Sequence, residues 1–381
     1  MKKRTAVSLL AVLLTAGCSA AADEQQHSSE ARQESPADQH TSAQSAAPVT
    51  PETSDNAGAA VNEPEVVAAN LEVPWSIAKA GDIFYLTERP GNIVKIDNGH
   101  VERQEVQLVK EIAAASEAGL LGLVLDPDFT GSGLAYAYYT YTDSSGQFNR
   151  IVTLRQDNGI WKEEELLLDK LPSGSVHHGG RLALGPDGKL YATAGDAGDR
   201  DSAQDTGSLG GKILRLNTDG SVPEDNPFAG SYVYSYGHRN AQGLVWTGAG
   251  VLYASEHGQS SHDEVNEIEA GLNYGWPVIE GDEAREGMVT PLFTSGSDHT
   301  WAPSGMAYAE GVLYTAALRG TAVLAFDLET GEEREAITGY GRIRDVMIDG
   351  DMLYFISNNT DGRGSPADED DKLYRVPLPA L

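Results

Sequence analysis

The chain has 381 residues, 40% of them hydrophobic, and a formal net charge of −30, so it can bury one large core or two ordinary ones. That charge argues against nucleic acid and anionic lipid as partners, because both bind surfaces dense in Lys and Arg. It leaves solubility, or the holding of a hard cation such as calcium, as the role of the carboxylates. Glycine, at 42 residues, exceeds the usual ~7%, and short apolar runs bounded by Gly, Asp, Asn and Pro outnumber helix-period stretches. The composition is that of an all-β protein.

Lys2-Lys3-Arg4, an apolar run from Ala6 to Leu14 and Thr15-Ala16-Gly17-Cys18 form the charged, hydrophobic and small-residue regions of an export signal. The run is too short to span a membrane as a mature helix. The small residues leading into Cys18 resemble a bacterial lipobox, with Thr15 departing from the usual Leu. This predicts a signal at 1–18 and a chain exported to the cell envelope. There it is held by a lipid on Cys18, or is free if Cys18 is incidental. Cys18 is the only cysteine, so the exported part has no internal disulfide and no cysteine-based nucleophile or metal site. Residues 19–70 are Ala, Ser, Gln, Glu, Asp and Pro with few large apolar side chains, which predicts a disordered acidic linker. The folded domain is expected at 71–381.

Within that domain a Tyr following an apolar residue recurs on short strands at positions 85, 136, 191, 253, 314 and 354. A sandwich offers only the short strand spacing, whereas propeller blades repeat every roughly 40–50 residues with loops added. Six occurrences predict a six-bladed β-propeller of four-stranded antiparallel sheets. In such a ring the inner strands line a central channel, and polar residues at their ends converge on one face.

The succession Glu117-Ala118-Gly119-Leu120-Leu121-Gly122, Asp126-Pro127-Asp128-Phe129, His177-His178-Gly179-Gly180-Arg181, Gly195-Asp196, Gly237-His238-Arg239-Asn240, Asn273-Tyr274-Gly275-Trp276-Pro277, Ala302-Pro303-Ser304-Gly305 and Arg342-Ile343-Arg344-Asp345 resembles the soluble glucose and aldose sugar dehydrogenases that use pyrroloquinoline quinone (PQQ). The motifs follow the family's order across nearly all of 71–376. The resemblance implies oxidation of an aldose at its anomeric carbon to the lactone, with electrons passed to an external acceptor, since no haem or flavin motif is present.

Such an oxidation removes a hydroxyl proton while hydride leaves the same carbon, and a neutral imidazole suits the first task. The resemblance makes His177 the base and Asp196 the carboxylate that orients it; by position alone His177 is as readily a turn histidine. His178 falls beside the site or on the surface. Arg239 matches the family's guanidinium at the quinone carbonyl, and Asn240 its neighbour on the cofactor. The bare alternative is an Arg-Asn pair tying down a loop.

PQQ carries three carboxylates and needs a local cationic pocket in so acidic a chain. Arg342 and Arg344, two apart on a strand, are expected to share a face and match the family's Arg-x-Arg. Arg319 stands where a Lys is usual. Glu117 stands where some members carry Gln, and a carboxylate there must be protonated, paired or calcium-bridged. The resemblance further implies one calcium on the carbonyls of Gly258 and Gln259, and a structural calcium on Glu264 and the Tyr274 carbonyl. An acidic surface loop is the plainer reading of that segment. Asp361 to Asp371 is expected to be a solvated loop. Loops after Trp276 and around Ser295 to His299 are expected to shape the sugar cleft. A calcium-dependent propeller hydrolase of lactonase type, or a non-catalytic binding propeller, remains open, although neither needs the paired arginines.

Overall fold

The computed structural model describes residues 63–113 and 116–381; the export signal, Cys18 and most of the expected linker lie outside them. Twenty-four strands dominate the described residues. After β1 (Glu65–Ala68) they run in sets: β2 (Pro74–Ala80), β3 (Ile83–Glu88), β4 (Asn92–Asp97) and β5 (His100–Gln107); β6 (Leu120–Leu125), β7 (Leu134–Asp143), β8 (Gly146–Asp157) and β9 (Ile160–Pro172); β10 (Leu182–Leu184), β11 (Leu190–Ala194), β12 (Lys212–Leu216) and β13 (Val233–Tyr236); β14 (Ala241–Trp246), β15 (Leu252–Glu256), β16 (Glu264–Ile268) and β17 (Phe293–Thr294); β18 (Pro303–Ala309), β19 (Val312–Ala317), β20 (Ala322–Asp327) and β21 (Glu333–Thr338); and β22 (Ile343–Asp349), β23 (Met352–Ser357) and β24 (Leu373–Pro377). Among the described residues helix is confined to single turns such as Phe129–Ser132 and Arg200–Ala203.

The fold is all-β, as the composition predicts, and each recurrent Tyr lies buried on the second strand of its set. The sheets are not six separate units, however: four have four strands and one has eight. The departure arises at β5 and β9, which pair in parallel at Glu105↔Ile160, Val106↔Trp161 and Gln107↔Lys162. At 13 residues β9 is the longest strand, and the pairing gives the β5 edge hydrogen-bond partners.

The first strands of the sets lie side by side in a closed ring, β2 by β6, β6 by β10, β10 by β14, β14 by β18, β18 by β22 and β22 by β2. The last sheet is completed by β1, which pairs with β24 across almost the whole chain and carries an Arg375–Glu65 ion pair. β1 therefore begins the sheet ahead of the start expected at residue 71. Its partner lies some 300 residues away in sequence, so no local pattern marks it.

Because first and second strands are antiparallel, residues just before a first strand and just after a second strand meet at one end of the ring. Arg89 follows β3, Asp196 follows β11, His257 follows β15 and Leu318 follows β19; Glu117 precedes β6, His178 and Gly179 precede β10, Arg239 and Asn240 precede β14, and Arg342 precedes β22. The topology collects the candidate residues before any side chain is considered.

Candidate active site

His177 has a left-handed backbone (φ 61°), uncommon for a side-chain-bearing residue but tolerated by His. A Cβ on Gly195 would collide with the His177 carbonyl, so glycine there lets the two segments touch. His177 Nδ1–H donates to Asp196 Oδ1 at 2.6 Å, a tautomer assigned from its carboxylate partner. That leaves Nε2 as the free acceptor. Asp196 is fully buried and also accepts Gly198 N–H at 2.8 Å and Trp276 Nε1–H at 2.9 Å. Burial alone opposes its charge, but these donors and His177 outweigh burial and hold it below the usual carboxylate range.

Arg239 lies with its guanidinium 5.3 Å from the centre of the Trp276 ring and donates from Nη1 to the His257 carbonyl at 3.3 Å. Its buried Nε has no partner. Trp276 thus contacts both Asp196 and Arg239. Asn240 turns its amide oxygen to Gly179 N–H at 3.0 Å, bracing the His177 segment.

Glu117 is paired. Its Oε2 accepts His177 N–H at 3.0 Å and its Oε1 lies 2.9 Å from Arg363 Nη1. Burial pushes its carboxyl up, but His177 N–H, Arg363 and His257 together bring it down to about 2. Glu117 lines a narrow cavity with Trp75, Arg89, His178, His257, Arg344 and Arg363. His178 is buried there (2% exposed), not on the surface, and burial lowers its imidazole to about 4.

The two arginines of the Arg-x-Arg motif differ. Arg342 is neutralised by Asp361, at 3.1 Å from Nε and 2.8 Å from Nη2. Arg344 is buried and meets only neutral groups: Gln242 Oε1 at 2.8 Å, Asn358 Oδ1 at 3.2 and 3.3 Å and, at the limit, Ser304 Oγ. Burial, with Arg89 and Arg342 nearby, pushes its guanidinium down to about 9. Arg319 is exposed and does not line the cavity.

The loop containing Asp361 to Asp371 is not simply solvated. The Asp361 side chain is 1% exposed against Arg342, and Asp371 is buried, accepting from Ser357, Asn359 and Thr360. Both aspartates face backbone or guanidinium donors that sequence spacing does not reveal.

In the expected calcium segment, Asp263 is an organiser: Oδ1 accepts Gly258 N–H at 2.9 Å, and Oδ2 accepts the N–H groups of Trp301 and Ala302. Gln259 N–H donates to Glu280 at 3.2 Å. Glu264 pairs in register with Glu256 across β15 and β16; burial and Glu256 push its carboxyl up to about 8. The Tyr274 ring stacks on His238 at 4.8 Å. Among the described residues no group of three or more His, Cys, Asp or Glu side chains is placed to hold a metal.

Arg89, Arg363 and the donor role of Trp276 escape the sequence reading. Arg89 ends the first Tyr-bearing strand just as Gly195-Asp196 ends the third, and that parallel is the signal that could have found it.

The chain matches the family model described as glucose/sorbosone dehydrogenase over residues 71–374. It is 33% identical over 305 residues to quinoprotein glucose dehydrogenase B of Acinetobacter calcoaceticus, covering 70% of this chain and 64% of that protein. To an aldose sugar dehydrogenase of Escherichia coli it is 30% identical over 337 residues, covering 78% and 90%. The structure of the PQQ-bound aldose sugar dehydrogenase of Streptomyces coelicolor superposes with a TM-score of 0.76 at 38% identity, over 82% of this chain and 96% of that one. On fold, site motifs and sequence alike, the chain belongs to the glucose/sorbosone dehydrogenase family.

Proposed function

We propose that this protein is a PQQ-dependent aldose dehydrogenase, oxidising the anomeric carbon to the lactone and passing electrons to an external acceptor. The carrying observation is Arg344, a buried guanidinium with no carboxylate partner. An uncompensated buried cation costs several kcal/mol, and an anionic ligand offsets that cost. The orphaned Nε atoms of Arg89 and Arg239 and Nε2 of His257 suit the same ligand. As it stands the cavity holds about 20 Å³, room for roughly one water, so admission requires its lining to open; Arg363, with a side chain 47% exposed, is the natural residue to move.

Bound PQQ would supply the two-electron acceptor. Arg344 and Arg239 would hold it, and Arg342 is assigned to it as well, with its charge already answered by Asp361. His177 Nε2 takes the sugar hydroxyl proton, and Asp196 fixes the ring and stabilises the imidazolium. Arg239, over Trp276, presents its charge where negative charge develops. Asn240 is assigned to the cofactor as well, with its oxygen on Gly179 and its nitrogen free to donate. Arg319 has no supporting contact. The free arginine favours this reading over a calcium-dependent hydrolase or a binding propeller.

The fold reading is a six-bladed propeller, the eight-stranded sheet being two blades joined at β5 and β9; the ring of six first strands supports it. Calcium is proposed on the carbonyls of Gly258 and Gln259, and on Glu264 with the Tyr274 carbonyl; the opposed Glu256 and Glu264 support the second. Residues 1–18 are proposed as a lipoprotein signal, giving envelope attachment through Cys18, with 19–70 as linker. No helix among the described residues is long and apolar enough to cross a membrane. The test is reduction of an artificial dye by the domain with PQQ, calcium and aldoses; dye reduction that ignores PQQ would contradict the proposal.

A further inference from the structure

We infer that Arg89, with Arg344, forms the cationic pair that receives carboxylates of the anionic cofactor, in the role that sequence reasoning gives to Arg319. This rests on the cofactor reading above but concerns a residue outside every motif that suggested it. Three guanidiniums line the cavity, Arg89, Arg344 and Arg363, and a fourth, Arg342, donates to the carbonyl of the lining residue Leu318. Two carboxylates answer them, Asp361 on Arg342 and Glu117 on Arg363. The two cations left without a carboxylate at bonding distance are Arg89 and Arg344, and both line the cavity.

Arg89 is held there by its backbone. Its N–H donates to the Val73 carbonyl at 3.2 Å and its carbonyl accepts Leu120 N–H at 3.1 Å. A Cβ on Gly119 would collide with that carbonyl, so glycine lets the Glu117 segment close onto Arg89. The side chain is thereby fixed beside Glu117 while its buried Nε has no partner. Burial disfavours the Arg89 charge, and Arg89 in turn disfavours that of Arg344. Glu117 and Asp361 act on both cations only from beyond bonding distance, and two like charges converging with no carboxylate in contact mark a site shaped for an anion. Arg319 is exposed and makes no such contact.

The test pairs two titrations on wild type, Arg89→Gln and Arg319→Gln. In the first, PQQ with calcium is followed by absorbance; Arg89→Gln weakens binding about tenfold or more, as expected for losing a hydrogen bond to a charged group, while Arg319→Gln stays within threefold. In the second, thermal unfolding of the cofactor-free proteins is measured with citrate as a tricarboxylate probe; citrate stabilises wild type and Arg319→Gln but not Arg89→Gln. The cofactor-free Arg89→Gln protein itself melts at or above the wild-type temperature, because a like charge beside Arg344 is gone. If wild type fails to bind PQQ, the cofactor reading falls and citrate alone decides the role of Arg89. Equal citrate stabilisation in wild type and Arg89→Gln overturns the inference, as does equal PQQ affinity.

Discussion

Asp196 joins His177 to Trp276: one carboxylate oxygen accepts His177 Nδ1–H at 2.6 Å and the other accepts Trp276 Nε1–H at 2.9 Å. Since Arg239 lies over the same indole, the imidazole proposed as base and the guanidinium proposed to meet developing negative charge share one support.

His177→Gln should therefore retain cofactor affinity and lose turnover by about a hundredfold or more, the contribution of a general base. Steady-state kinetics with an artificial dye, beside a PQQ titration, measure the two separately. Turnover within threefold of wild type would remove His177 from the role of base.

Trp276→Phe keeps a ring beneath Arg239 but removes the donor to Asp196. Leaving a buried oxygen without its donor costs about 1–3 kcal/mol, so kcat should fall about tenfold while KM and cofactor affinity stay within twofold. A change confined to KM would show instead that Trp276 contacts the sugar.

Glu117 gives a pH-dependent stability. Its carboxyl is brought from 4.5 to about 2 in the folded state, so the stabilisation is complete above the unfolded value and is lost as pH falls from about 4.5 towards 2. Glu117→Gln should be less stable than wild type at pH 7 by at most about 3 kcal/mol, and the gap should narrow in that acidic window. Denaturant unfolding at a series of pH values reads it; a gap independent of pH would contradict the pairing with Arg363 and His177 N–H.

Opposed carboxylates at Glu256 and Glu264 make a calcium prediction. Without calcium and above about pH 8, where Glu264 is ionised, Glu264→Gln should melt above wild type because a like-charge pair is relieved. With calcium, wild type should gain stability and the variant should not. An equal gain in both would exclude Glu264 as a ligand.

The convergence of the candidate residues was legible because the fold repeats. Six buried tyrosines mark six second strands, and polar motifs at strand ends converge wherever such strands form a ring. What stayed hidden depends on contacts between distant segments. β1 is specified by β24, Asp361 and Asp371 by the donors they meet, and Glu117 by Arg363, nearly 250 residues later. The eight-stranded sheet likewise follows from the reach of β9 to β5, which no local periodicity encodes. Arg342 and Arg344 look equivalent in sequence, yet only the pairing with Asp361 separates a neutralised arginine from an available one.

The central claim is tested most directly by absorbance titration of the purified cofactor-free domain with PQQ in the presence of calcium, run on wild type and on Arg344→Gln. Wild type should saturate at one cofactor per chain, and Arg344→Gln should bind at least tenfold more weakly. No spectral change with wild type, or equal affinity in the two proteins, would contradict the assignment of this cavity to an anionic quinone.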